Sequence, residues 1–311
     1  MSQDPRPTYE GRQLPRPDEE VVDQGLGFDL TTLANRRHVL RGFGLGAAVL
    51  GLAACGSNSS SESTPAASST SSAATGEIPD ETAGPYPGDG SNGPDVLEQS
   101  GVVRSDIRSS FGTASGTAQG VPMTLELTIL DMANSDAPFK DVAVYVWHCD
   151  REGRYSLYTE GITDQNYLRG VQIADDSGKV KFTSIFPACY SGRWPHIHFE
   201  VYSGQADITD STKAIATSQV ALPKDVCDKV YATTGYSSSV SNLSQISLSS
   251  DNVFGDDSAA LQMGAVSGDV TKGFAVTLTV KVDTTTTPSG GSAPGGGAPG
   301  GGGPGGAPPS R

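Results

Sequence analysis

The chain has 311 residues, with 35 acidic against 21 basic side chains, a formal net charge of −14 and 36% hydrophobic residues. That charge excludes nucleic acid or an anionic lipid surface as a partner, because either polyanion would be repelled over most of the protein. The 39 Gly and 20 Pro are concentrated toward the termini, so one core of about 200 residues is expected rather than two domains.

The first apolar run, Phe43 to Ala54, is too short to cross a bilayer. It follows Arg36, Arg37 and Arg41 and ends in Leu52-Ala53-Ala54-Cys55, the order of a secretory signal: basic region, apolar region, small-residue cleavage site. The arginine pair resembles a twin-arginine signal, and the segment ending at Cys55 resembles a lipoprotein processing box. The two resemblances imply a domain exported already folded and tethered by lipid at Cys55 to the outer face of the cytoplasmic membrane or the cell wall. That lipid would be its only membrane contact. Such export suits a protein that takes up a metal or cofactor first.

Residues 1–55 are therefore set aside as an N-terminal extension and signal. Residues 56–77 form a Ser-rich linker, with too little apolar surface to offset chain entropy. At the other end, residues 287–311 read as a flexible Gly/Pro tail without the three-residue period of collagen.

Between them, residues 78–286 carry two-residue alternation, the mark of half-buried strands. Met123, Leu125, Leu127 and Ile129 alternate with polar residues, as do Phe274, Val276, Leu278, Val280 and Val282 with Ala275, Thr277, Thr279 and Lys281. Val142 to Trp147 is apolar on both faces, and Val180 and Phe182 follow the turn signal Asp176-Ser177-Gly178. Helical period is almost absent, apart from one short helix expected after Pro223. An all-β sandwich follows.

Chemistry concentrates near Tyr190-Ser-Gly-Arg193-Trp-Pro-His196-Ile-His198-Phe-Glu200. In a strand, His196 and His198 share one face while Ile197, Phe199 and Val201 take the other. Two imidazoles on one face suit a metal, or a pair of hydrogen-bonded structural histidines. Tyr190 and Tyr155 supply phenols, which as hard anionic donors suit Fe(III). His148 is expected to be structural. Tyr86, Trp147, Tyr158 and Trp194 would line a pocket or fill the core, the more common role of aromatics in a sandwich.

Taken together, Glu81-Thr-Ala-Gly-Pro-Tyr86, Val144 to Tyr155, Ile185-Phe-Pro-Ala-Cys-Tyr190 and Arg193-Trp-Pro-His-Ile-His-Phe199 resemble the intradiol ring-cleavage dioxygenases, particularly the protocatechuate 3,4-dioxygenase branch. The resemblance covers about residues 80–220 and implies a β-sandwich of that type. It further implies one non-haem Fe(III) per chain, held by Tyr155, Tyr190, His196 and His198, with Tyr155 and His198 equatorial. His196 and Tyr190 would be axial, and Tyr190 would leave when substrate binds. By the same resemblance Arg193 stabilises charge over the bound ring, and Gln219 lies just beyond the ligands. The implied substrates are an aromatic diol and O2, with cleavage between the hydroxylated carbons to a muconate-type diacid.

The five-residue connection between Tyr190 and His196 is shorter than is usual in that family and borders the pocket, so substrate preference transfers least. Cys149, Cys189 and Cys227 are expected to form one disulfide, leaving one thiol. Rival readings are thiolate ligands, and an extradiol site on Fe(II) with Glu200 as carboxylate. At the level of the whole protein, the rivals are a catalytically inactive metal- or ligand-binding module and a wall-spanning protein working through its tail. A homo-oligomer is left open.

Overall fold

Alternation in the sequence becomes pairing in the structure, a computed structural model that describes residues 76–289 and two short strands near the N-terminus. Those two, β1 (Thr8–Tyr9) and β2 (Arg12–Gln13), pair antiparallel within the first of two compact units, Met1–Ala67. Everything below concerns the second unit, Ser68–Arg311. The expected signal with Cys55, and almost all of the linker and tail, lie outside the described residues.

The first sheet is built on β3 (Pro122–Asp131). One edge of β3 pairs in parallel with β11 (Gly273–Val282), which pairs antiparallel with β10 (Ala265–Asp269). Its other edge takes β7 (Lys179–Ile185) along Pro122 to Thr128 and β4 (Ala137–Pro138) at Leu130 and Asp131. The second sheet has the order β6 (Arg169–Ile173), β5 (Ala143–Trp147), β8 (His196–Tyr202), β9 (Ala214–Ala221), all antiparallel.

Met123, Leu125, Leu127 and Ile129 of β3 face Val144 and Val146 of β5 and Ile197, Phe199 and Val201 of β8 in one core. Each such side chain, fully buried, contributes about 1.5–3 kcal/mol of transfer free energy. The opposite face of the second sheet carries Tyr145, Trp147, His196, His198, Glu200 and Tyr202, and it is buried as well. A strap formed by residues 76–97 covers it, pairing Ile78 N with Lys281 O and Glu81 N with Thr217 O on the way. The sheet is thus apolar inward and mixed outward, and the candidate site lies on the mixed face.

The helix expected after Pro223 is present as α1 (Lys224–Tyr231). A second, α2 (Ser237–Leu243), was not expected, because its serines are poor helix formers. Tertiary bonds hold it: Ser239 Oγ accepts from Cys189 N at 3.0 Å, and Asn242 Nδ2 donates to Cys189 O at 2.9 Å. The expected disulfide is not formed. Cys149, Cys189 and Cys227 are all free and buried, each contacting a backbone carbonyl instead of another sulfur.

Candidate metal centre

His196 opens β8, and its Nδ1 donates to Trp194 O at 2.5 Å. A carbonyl can only accept, so the proton is on Nδ1 and Nε2 keeps its lone pair. That lone pair points at His198 Nε2, 3.0 Å away, and at Tyr190 Oη, 3.2 Å away. Burial, with the nearby Arg193 charge, pushes His196 down to about 3 and holds His198 well below its ordinary value, so both rings are neutral. His198 lies flat on Trp147, with ring centroids 4.8 Å apart and planes 5° apart. On its edge sits Gly84 at φ +73°, where a Cβ would come within 3.3 Å of the imidazole Cε1.

Tyr155 comes from the loop after β5. Asp150 organises that loop, accepting from the backbone N–H of Glu152 and Arg154 and from the Arg154 guanidinium. Gly153, at φ +84°, lets this loop touch the Tyr190 loop, since a Cβ there would lie 3.1 Å from Tyr190 Cβ. The two phenol rings meet edge to face at 5.9 Å, and Tyr86 of the strap packs on Tyr155 at 5.0 Å. Tyr155 Oη is buried without a hydrogen-bond partner, an arrangement that costs free energy unless something else binds the oxygen. Burial pushes both phenols up, Tyr190 to about 12 and Tyr155 well above its ordinary value.

The donor set fits a cation. Two ligands at right angles about an ion ~2.1 Å from each are ~3 Å apart, matching the spacing of the two Nε2 atoms and of Tyr190 Oη from His196. Two neutral imidazoles and two phenols that become anionic on binding suit a hard trivalent ion.

Thiolate ligation does not fit. Cys189 is pushed up to about 12 by burial, with Asp251 adding to it, and its Sγ points to the carbonyls of Tyr190 and Arg193. Glu200 lies on the histidine face of β8 but accepts from Tyr202 Oη at 2.7 Å. Among the described residues, no three His, Cys, Asp or Glu side chains gather as a metal-holding group.

Arg193 borders the cluster. Its Nε donates to Asp251 Oδ2 at 3.0 Å and its Nη2 to Gln219 Oε1 at 2.7 Å, while Gln219 Nε2 donates to Thr82 O at 3.0 Å. Asp251 is fully buried, and it also accepts from the backbone N–H of Trp194, Val253 and Phe254. Burial alone would raise its carboxyl, but Arg193 and these N–H groups outweigh it and hold the pKa below the ordinary value. Sequence reasoning missed Asp251, which sits in a polar loop with no motif around it. His148 is structural, bonded to Ser184 Oγ at 2.7 Å and Cys149 O at 2.8 Å. Trp147 and Trp194 are buried, and Tyr86 and Tyr158 pack together at 5.2 Å in the strap layer.

Residues 92–209, which include Tyr155, Tyr190, Arg193, His196 and His198, match a protein family described as Dioxygenase. A chlorocatechol 1,2-dioxygenase of Rhodococcus opacus is 34% identical over 56 residues, 18% of this chain and 22% of that protein. The matched stretch thus spans about a fifth of that curated relative's length. An intradiol ring-cleavage dioxygenase from Tetranychus urticae superposes with a TM-score of 0.53 at 20% identity, over 68% of this chain and 96% of its own. Another dioxygenase crystal structure superposes with a TM-score of 0.55 at 19% identity, over 69% and 98%. These two show a shared fold.

Proposed function

We propose that the protein is an Fe(III)-dependent intradiol dioxygenase acting on a catechol-type aromatic diol with O2. The observation that carries this reading is the convergence of His196 Nε2, His198 Nε2 and Tyr190 Oη beside the buried, partnerless Tyr155 Oη. Tyr155, Tyr190, His196 and His198 would hold the iron. Iron(III), when bound, would supply a Lewis acid that the diol can chelate and that draws electron density from its ring.

The chain's own groups divide the remaining work. Trp147 and Gly84 fix the plane of His198, and Trp194 O fixes the tautomer of His196. Both phenols hold their protons until a cation binds, so metal uptake releases protons. Tyr190 would receive a diol proton at its Oη. Arg193, aimed by Asp251 and Gln219, places a fixed positive charge where negative charge develops on the ring.

Arg36, Arg37 and Cys55 support the further reading that this enzyme is exported and lipid-tethered at the outer face of the membrane. Replacing Cys55 with Ser should release it from the membrane fraction. The catalytic reading is tested by iron content, visible spectrum and products of the purified protein with simple catechols. Expected are one iron per chain, a phenolate-to-iron absorption band and muconate-type diacids. Colourless protein that takes up no iron overturns it; iron-loaded protein without ring cleavage leaves a binding module.

A further inference from the structure

We infer that Arg169 is a positioning residue for this centre, tying the Tyr86–Pro87 strap to the Tyr155 loop. The inference rests on reading Tyr155 and His198 as metal ligands. Arg169 lies on β6 and is 1% exposed. All of its N–H groups are directed at oxygens. Nε donates to Ser156 Oγ at 3.1 Å, Nη1 to Pro87 O at 2.6 Å and Tyr145 Oη at 3.1 Å, and Nη2 to Tyr86 O at 2.9 Å and Ser156 O at 3.0 Å. Among the described residues, Arg169 takes part in no ion pair.

A buried guanidinium without a carboxylate is a costly choice for stability alone. What it provides here is reach. Its acceptors belong to three stretches of chain: the strap, the loop carrying Tyr155, and β5. Lysine has fewer donors and no planar fork, so it cannot bridge all three. The strap in turn sets Tyr86 against the Tyr155 ring at 5.0 Å, and Gly84 against the edge of His198. Ser156 directly follows Tyr155. One side chain therefore holds a wall of the site and the peptide of one ligand in a common register, and Tyr145 Oη reinforces it by donating to Pro87 O at 2.7 Å.

The test uses full-chain protein carrying Arg169→Lys or Arg169→Gln. In metal-free samples, amide exchange at Gly84, Tyr86, Gly88 and Ser156 to Tyr158 should quicken at least about tenfold while β3 and β8 stay protected. Affinity for Ga(III), titrated as a redox-inert probe, should fall about 10–100-fold, and the Fe(III)–phenolate band should shift. Lys should not rescue, since it keeps the charge and loses the fork. Folded Arg169→Gln with wild-type strap exchange and wild-type Ga(III) affinity overturns the inference, as does full rescue by Lys. Should both variants fail to fold, Ser156→Ala removes the hydroxyl that accepts from Arg169 Nε and donates to Tyr167 O at 2.7 Å, and a two- to tenfold affinity loss is expected, on the order of a hydrogen bond. Unchanged affinity in Ser156→Ala then overturns it. Wild-type protein that binds neither Ga(III) nor Fe(III) removes the proposed metal function instead, while the exchange measurement still decides the tie.

Discussion

Arg193 and Asp251, 58 residues apart in sequence, form a buried ion pair with Nε to Oδ2 at 3.0 Å. Among the described residues Asp251 pairs with no other cation, and three backbone N–H groups complete its shell. Removing one partner of a buried pair strands the other, at about 3–5 kcal/mol. Asp251→Asn keeps the shape and loses the charge. It should lower the melting temperature and reduce catechol turnover at least about tenfold through misplacement of Arg193, with iron content unchanged. Loss of iron along with activity would show that Asp251 supports the ligands instead.

The two phenols make separable contributions. Tyr155→Phe and Tyr190→Phe each remove one anionic donor, so each should weaken Fe(III) binding and shift the visible band. The double variant should be colourless. Because Tyr155 Oη is buried and unpartnered in the metal-free protein, Tyr155→Phe should leave metal-free stability equal or higher. Thermal melts with and without iron check this.

Glu81 gives a pH signature. Burial, reinforced by Asp256, pushes its carboxyl up to about 7, with the Gln262 amide pulling the other way. The folded state therefore holds this proton more tightly than the unfolded chain. The associated stability is fully present below pH 4.5 and is lost as pH rises to 7. Glu81→Gln removes that slope. Its melting temperature should match wild type near pH 4 and exceed it by pH 8. Parallel curves across that range would refute the assignment.

Among the described residues the three free thiols, Cys149, Cys189 and Cys227, are buried, and burial raises their pKa values. In native protein carrying Cys55→Ser these three should react negligibly with a thiol reagent, and denaturation should expose Cys149, Cys189 and Cys227 together. A disulfide among them would lower the count by two.

How much of this was legible follows from what each residue depends on. The two faces of β8 were readable because strand period is local: His196 and His198 point one way, and Ile197, Phe199 and Val201 enter the core. The strands around Met123 and Phe274 were readable for the same reason, but their parallel partnership was not, since pairing across the chain leaves no local trace. Tyr155 and Tyr190 stood out as phenols that could join the histidines, and the resemblance made them a ligand set; nothing in their spacing shows that Gly153 lets the two loops touch. Asp251, Arg169, Ser239 and Asn242 were illegible because their roles are bonds to distant backbone. The expected disulfide failed because cysteine count carries no orientation, and here each sulfur faces a carbonyl.

The parallel pairing of β3 with β11 sets an order of assembly. Met123 finds Phe274 only across a loop of roughly 150 residues, a closure that slows folding. The second sheet, β5, β6, β8 and β9, draws its strands from one stretch interrupted only by β7 of the first sheet, and can form before β11 is made. The histidine-bearing face would then exist while the molecule is still open, and Ile78, bonded to Lys281 of β11, can close the strap only after the last strand has been synthesised. Closure of the strap thus waits on chain completion, with the final strand acting as the latch.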